Sequence, residues 1–220
     1  MTTIFPEPKE CFVCKHISEF IELGSTNVFG SPDLDTRPPE MERSTISYWI
    51  QICPNCFYSA PDISKGDPRI RDIVESEEYK KIGRDLDFPD KTAGFICHSH
   101  IMDRIGNFEE AAWACLHAAW YCDDDEMELA AGLCREKAVV AFQKAREYDD
   151  TLLSVPEGAF DALLVDLLRR RPNLPDAGDY CVAALERQPD DLILKILLFQ
   201  KDLIIQRDKG CYTIEDAIQD

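Results

Sequence analysis

Two Cys-x-x-Cys pairs lie in the first quarter of the chain, at Cys11 and Cys14 and again at Cys53 and Cys56. Such a turn places two sulfurs on one side of a tight loop. Two turns brought together supply the four thiolates of a tetrahedral zinc site. Because four cysteine ligands leave zinc no open position, the metal would stabilise the fold and would not take part in a reaction. We therefore predict a structural zinc ion as the cofactor.

Two other interpretations of these cysteines stay open. They are ordinary thiols, or one pair is a redox centre, although that would need a thioredoxin-like βαβ pattern that neither pair shows. The 38 residues between the pairs exceed the usual spacing of a zinc ribbon, and Lys15 and Phe57 stand where each turn usually ends in glycine. The paired spacing still favours the metal.

Residues 1–64 are predicted to form a zinc-ribbon-like module. Short runs of β-forming residues follow the first pair, at 16–23, and precede the second, at 46–52. The long segment between them, residues 24–45, is typical of a loop, and loops of this length are often functional. Asp33, Asp35 and Arg37 would bind a partner there or join the module to the rest of the chain by salt bridges. The simpler alternative is a polar loop with local turns.

The remainder of the chain is predicted to be helical, so the fold class is mainly α with a small β module. Residues 65–94 would be a bridging helix, from 69 to 86, and a linker. Residues 95–220 would form stacked antiparallel helical hairpins. Small residues recur there at offsets that resemble the tetratricopeptide repeat. The expected units are 92–122 and 158–189, with a helix at 126–148 between them and a last helix at 191–207.

A second group of metal-binding residue types occurs in the first predicted hairpin. Its members are Cys97, His98, His100, Cys115, His117 and Cys122. Antiparallel pairing of the two helices would bring some of them together as a second metal site. Cysteine, however, commonly acts as a small buried apolar residue. The preferred interpretation is therefore core cysteines with surface histidines.

The charge of the chain narrows the classes of partner. Its formal net charge is −18, which argues against nucleic acid and against anionic membranes, because both need a basic surface. No bilayer-spanning run and no secretory signal is apparent, and paired Cys-x-x-Cys spacing favours a reducing cytoplasm. Arg169, Arg170 and Arg171 are interpreted as a helix C-terminus, where the helix dipole favours cations.

The chain resembles an uncharacterised bacterial family, a domain of unknown function. The resemblance lies in Cys11 and Cys14, in the segment Tyr48 to Ala60 with its Cys-Pro-x-Cys turn, and in the helices from Phe95 to Tyr148. It implies a zinc-ribbon-like module followed by tetratricopeptide-like helices. It implies no activity, substrate or partner.

Two functions follow as expectations. The first is a cytoplasmic adaptor that binds another protein, through a basic or helical segment, on an acidic surface of the helical repeats. The second is a metal or redox sensor, or a metal-dependent enzyme, that uses the second Cys/His group. The chain shows no catalytic motif, so it is more simply explained without an enzymatic activity. Its oligomeric state is not indicated.

Overall fold

The computed structural model describes residues 1–84, 88–148, 154–171 and 175–219. The described chain is mainly helical, with two small antiparallel sheets of two strands each near its N-terminus. This agrees with the predicted fold class at that level. None of the described helices combines the length and the apolar character that a bilayer crossing requires.

The first sheet is a hairpin of β1 (Thr3–Glu10) and β2 (Ile17–Ser25), and the first cysteine pair lies in the turn between them. Strand β2 confirms the strand expected after that pair. Strand β1 was not predicted, because Pro6 and Pro8 break the usual strand pattern. An edge strand accepts prolines at positions where no N–H is needed for the ladder.

The second sheet pairs β3 (Gln51–Ile52) with β4 (Ser59–Ala60) on either side of the second cysteine pair. The strand predicted over 46–52 is wrong for most of its length, because Arg43–Tyr48 is a 3-10 helix. Ile46 and Ile50 are both buried. Ile46 lies within the 3-10 helix and Ile50 after it, and both pack with core residues of the first two long helices of the chain. Packing against the helices therefore outweighs the local preference for a strand.

The predicted bridging helix is two short helices, α1 (Ile70–Glu75) and α2 (Glu77–Gly83). The chain is extended at Ser76, whose side chain caps α2 by accepting a hydrogen bond from the Tyr79 N–H. Asp67 accepts a hydrogen bond from the Arg69 N–H at 2.8 Å in a turn before α1. The predicted end of the bridging helix, at residue 86, lies outside the described residues.

The helices from α3 to α8 lie within a few residues of the positions predicted from the sequence. Consecutive helices contact one another from α3 to α8, so each buries its apolar face against its neighbours in the chain. A short last helix, α9, was not predicted. The helices are α3 (Asp90–Ile105), α4 (Phe108–Asp124), α5 (Glu128–Tyr148), α6 (Glu157–Arg170), α7 (Pro175–Glu186), α8 (Asp191–Gln206) and α9 (Ile214–Ile218).

The loop after β2 runs across the helical part to the far end of the chain. Asp33 forms an antiparallel bridge with Thr213. The Leu34 N–H donates to the Tyr212 carbonyl at 2.9 Å, and the Ile214 N–H donates to the Pro32 carbonyl at 2.9 Å. Leu34 is buried with residues of α6, α7 and α8. The N-terminal module is therefore tied to the helices at both ends of the helical part.

Candidate metal centre

The two cysteine pairs lie in turns of the same construction, here called the first cysteine turn (residues 11–16) and the second cysteine turn (residues 53–58). In the first, the Cys11 N–H donates to the His16 carbonyl at 2.9 Å and the Lys15 N–H donates to the Cys11 carbonyl at 3.0 Å. In the second, the Cys53 N–H donates to the Tyr58 carbonyl and the Phe57 N–H to the Cys53 carbonyl, each at 2.9 Å. The sulfurs of each turn therefore face the same way.

The sulfur atoms of the four cysteines lie close together. The Sγ atoms of Cys11, Cys14, Cys53 and Cys56 all lie within 4.8 Å of one another. The Sγ atoms of Cys11 and Cys56 are 3.7 Å apart, and those of Cys14 and Cys53 are 3.5 Å apart. A disulfide would place them at about 2.0 Å. A tetrahedral zinc–thiolate site, with Zn–S bonds of about 2.3 Å, places its sulfurs about 3.8 Å apart. The distances fit a shared metal ion.

The surroundings of the sulfurs differ. Burial raises the pKa of the Cys11 thiol to about 11, against hydrogen bonds from the backbone N–H groups of Cys14 and Val13. Burial also acts to raise the pKa of Cys14, but hydrogen bonds from the Asn55 side chain and the His16 backbone lower it to about 6. The Cys14 thiol therefore ionises more readily than that of Cys11, and buried thiols such as Cys11 lose their protons when metal binds.

Each turn closes on a residue that is not glycine in a left-handed backbone conformation. Lys15 has a φ of 63° and Phe57 a φ of 64°. This conformation brings the Cβ atom too close to the following carbonyl and costs about 1–2 kcal/mol per residue. The missing glycines noted in the sequence thus do not change the shape of either turn. They lower the stability that each turn contributes.

The metal centre is fixed to the helical part by close packing at two points. The Tyr79 hydroxyl on α2 is fully buried and donates to the Phe57 carbonyl in the second cysteine turn at 3.0 Å. Gly94 on α3 lies so close to Ile52 that an added Cβ would be 2.5 Å from the Ile52 Cδ1 atom. Helix α2 and helix α3 therefore pack against the second cysteine turn and the strand before it.

The six residues of the second Cys/His group do not converge. Among the described residues, the four module cysteines are the only set of three or more potential ligands whose ligand atoms come together. Cys97 packs beside the metal centre against Tyr79. The Cys115 Sγ forms a hydrogen bond with the Ser99 Oγ at 3.0 Å. Cys122 bonds to Thr92 at 3.2 Å on the buried side of α3.

The three histidines of that group have separate surroundings. His98 is buried, with Nδ1 donating to the Ser59 carbonyl at 3.2 Å and Nε2 3.2 Å from a Glu110 carboxylate oxygen. His100 lies near Glu78 and Tyr79 on the other face of α3. His117 is surrounded by aromatic rings. The expectation of surface histidines is thus wrong: His98 is buried and joins the module to α4, and His100 and His117 are each partly buried.

The loop residues Asp33, Asp35 and Arg37 are buried and bonded within the molecule. Asp33 pairs with Arg43 at 2.5 Å and accepts from the Cys211 thiol at 3.0 Å. Asp35 accepts from the Trp120 indole N–H at 2.9 Å and from Arg170 at 3.0 Å. Of the roles considered for this loop, their contacts match the salt bridges that join the module to the helices.

Asp35 belongs to a larger ion-pair network, defined here as four arginines and four aspartates. Arg37 donates to both carboxylate oxygens of Asp124 at 2.6 Å, and Arg170 also donates to Asp123 at 2.9 Å. Burial opposes the charge of Arg170, but the neighbouring carboxylates raise its pKa above the ordinary value. The members are Arg37, Arg135, Arg169, Arg170, Asp35, Asp123, Asp124 and Asp166.

The network changes the interpretation of the arginine triplet. Helix α6 does end at Arg170, as expected. Arg169, however, is fully buried and donates to the carbonyls of Asp208 and Gly210, at 2.7 and 2.9 Å, after α8. Arg171 pairs with Asp176. Specific carboxylates and carbonyls, and not only the helix dipole, therefore place these cations.

Comparisons with known proteins give no relative: no family model, no curated protein and no solved structure matches this chain. The resemblance described above therefore rests on the quoted residues alone.

Proposed function

We propose that this chain is a cytoplasmic adaptor whose four-cysteine centre holds a structural zinc ion and whose helical part binds a helical segment of another protein. The zinc assignment follows from four thiolates at tetrahedral spacing with no position left for a substrate. All ten cysteines are free thiols, which suits a reducing compartment. With a net charge of −18, the partner is a protein and not a nucleic acid or an anionic membrane.

The observation that carries the proposal is a groove of about 410 Å³ on the helical part. Helices α3 and α5 form its sides and α4 its floor. Val140 lies on its rim with 65% of its surface exposed, and Leu133 and Leu129 continue the same face of α5 at helical spacing. An exposed apolar stripe beside a groove is the usual receptor for the apolar face of a helix.

The charges of the groove refine the expected partner. Two acidic residues, Asp103 and Glu136, and two basic residues, Lys137 and Lys144, line the groove. Lys144 pairs with Asp103 across the groove at 2.5 Å. Positive and negative side chains are thus balanced here, so the groove gives a basic segment no particular advantage. An amphipathic helix with an apolar face and mixed flanking charges fits it best.

The chain offers a matched pair of substitutions to test this. Val140→Asp puts a charge on the groove rim, and Val182→Asp puts one on α7, where 46% of the valine surface is exposed. Neither side chain is buried, so neither change should disturb folding. In affinity capture with quantitative mass spectrometry from the native cells, Val140→Asp should reduce recovery of a specific partner at least tenfold. Val182→Asp should leave it unchanged.

A photo-crosslinking residue at position 140 should in addition react with a helical segment of that partner. An equal loss of partner recovery with Val140→Asp and Val182→Asp would show a general effect of surface charge. Unchanged recovery for both would show that the groove is not the binding surface. Either outcome would contradict the proposal.

A further inference from the structure

A second cavity, of about 370 Å³, lies between the N-terminal module and the first helical hairpin. It shares no lining residue with the groove, because the two occupy different faces of α3 and α4. It therefore requires an explanation separate from the partner groove. Its lining residues are Glu22, Leu23, Tyr48, Trp49, Ile50, Pro61, Phe95, His98, Glu110, Ala114 and His117.

Aromatic rings form much of its wall. The His117 ring lies 5.1 Å from Trp49, 5.7 Å from Phe95 and 5.1 Å from Trp120, centroid to centroid. Trp113 lies at 6.4 Å from the same ring. Tyr48, Trp49 and Phe95 line the cavity itself, whereas Trp113 and Trp120 pack behind His117. The chain has three tryptophans, so all of them surround this one imidazole. Aromatic walls of this kind attract a cation through the negative faces of the rings.

The ionisable groups of the wall also favour a cation. Glu22 and Glu110 are the carboxylates, and no lysine or arginine is among the described lining residues. Burial lowers the pKa of His117 to about 4, so its ring is neutral near pH 7 and does not repel a positive ligand. The His98 contact lowers the pKa of Glu110, which keeps that carboxylate ionised.

Both carboxylates are held in position by partners. Glu22 pairs with Lys9 at 2.7 Å and also accepts from Gln51, while Glu110 meets His98. An ionised carboxylate accepts about four hydrogen bonds, so each retains free acceptor capacity. Lys9 offsets part of the negative charge of Glu22. Recognition would therefore rest on the aromatic wall as well as on charge.

We propose that this cavity binds a methylated ammonium group, as carried by a small quaternary ammonium compound or by a trimethylated lysine side chain. Such a group is weakly hydrated, positive and apolar on its surface. It suits a site with aromatic walls and two carboxylates. Among the described residues of this cavity, no three potential metal ligands have their ligand atoms together, so a simple metal cation fits it less well.

Intrinsic fluorescence gives a direct test, because Trp49 lines the cavity and the other two tryptophans contact His117 in its wall. The zinc-loaded full chain would be titrated at pH 7 with choline and with 3,3-dimethylbutanol, its uncharged analogue of nearly the same shape. Choline should change the emission saturably, with the neutral analogue at least tenfold weaker. A peptide with trimethyllysine, against the same peptide unmethylated, separates a protein side chain from a free compound as the source.

Variants connect binding to this cavity. Trp49→Leu and Glu110→Gln should each weaken binding at least fivefold in calorimetry, and Glu77→Gln, on the surface of α2, should not. If Glu110→Gln fails to fold by circular dichroism, Glu22→Gln replaces it. Equal binding of the neutral analogue, binding unaffected by these variants, or no saturable response to either methylated ligand would overturn the proposal.

Discussion

Asp35 gives the sharpest test of how the module and the helices are joined. Its carboxylate is fully buried and bonds to the Trp120 indole and to Arg170, whose side chain is 7% exposed. Arg135 approaches the same oxygen at 3.9 Å. In the variant Asp35→Ala the indole N–H loses its acceptor, and the arginines lose one carboxylate from the ion-pair network.

The expected cost follows from burial. Removing one partner of a buried ion pair costs about 3–5 kcal/mol, because the remaining charge stays out of water without compensation. Arg170 keeps Asp123 and Asp166, which limits its loss, while the unpaired indole adds about 1–2 kcal/mol. We expect a decrease of about 4 kcal/mol in the free energy of unfolding. The same pair at the surface would contribute less than about 1 kcal/mol.

The assay is urea unfolding followed by circular dichroism, at one fixed excess of zinc, since a bound metal adds to apparent stability. Asp103→Ala is the control. It removes a half-exposed partner of Lys144 and should cost less than about 1 kcal/mol. Asp35→Asn combined with Arg170→Met should cost less than the two single changes added together. A cost for Asp35→Ala no larger than that of the control would refute the reasoning.

Three further outcomes are expected. Cys53→Ser should remove stoichiometric zinc, measured by atomic emission. Cys115→Ser should leave the zinc content at one ion per chain. A loss of zinc in both variants would indicate a second metal site. Lys15→Gly should raise the free energy of unfolding by about 1 kcal/mol by relieving its left-handed backbone, while Lys65→Gly, where φ is ordinary, should lower it. His117 has a pKa of about 4 in the folded chain against about 6.5 unfolded. The unfolded chain therefore binds more protons between these values, and stability should fall by up to about 3 kcal/mol from pH 6.5 to pH 4. In His117→Gln that part of the pH dependence should be absent from denaturation curves.

The helices were predictable because their signals are local. Apolar spacing and end residues placed α3 to α8 within a few positions of the structure. The break at Ser76 was missed, since serine is tolerated inside a helix as well as at a cap. The segment from Ile46 to Ile50 was misassigned because its packing against α3 and α4 outweighs the local preference of its residues for a strand.

The four-cysteine site was predictable for a similar reason, because the two cysteines of each pair are close together in the sequence and form one local turn. The ion-pair network was not. Arg170 and Asp35 are 135 positions apart, and Trp120 and Asp35 are 85 apart. No local pattern indicates which of many carboxylates a given arginine meets. The second cavity could not be predicted for the same reason, because the sequence does not show that the three tryptophans lie around His117.

The bridge between Asp33 and Thr213 also constrains the order of events during synthesis. The module's cysteines leave the ribosome early, so its metal centre has all its ligands long before the helices exist. The loop around Asp33 must then wait, because its partners on α4, α6 and the segment near residue 213 are made later. Until then Asp33 and Asp35 are hydrated carboxylates on an open loop. A chain interrupted before residue 213 would therefore carry all four cysteines of the candidate metal centre but would leave this loop without its last partners.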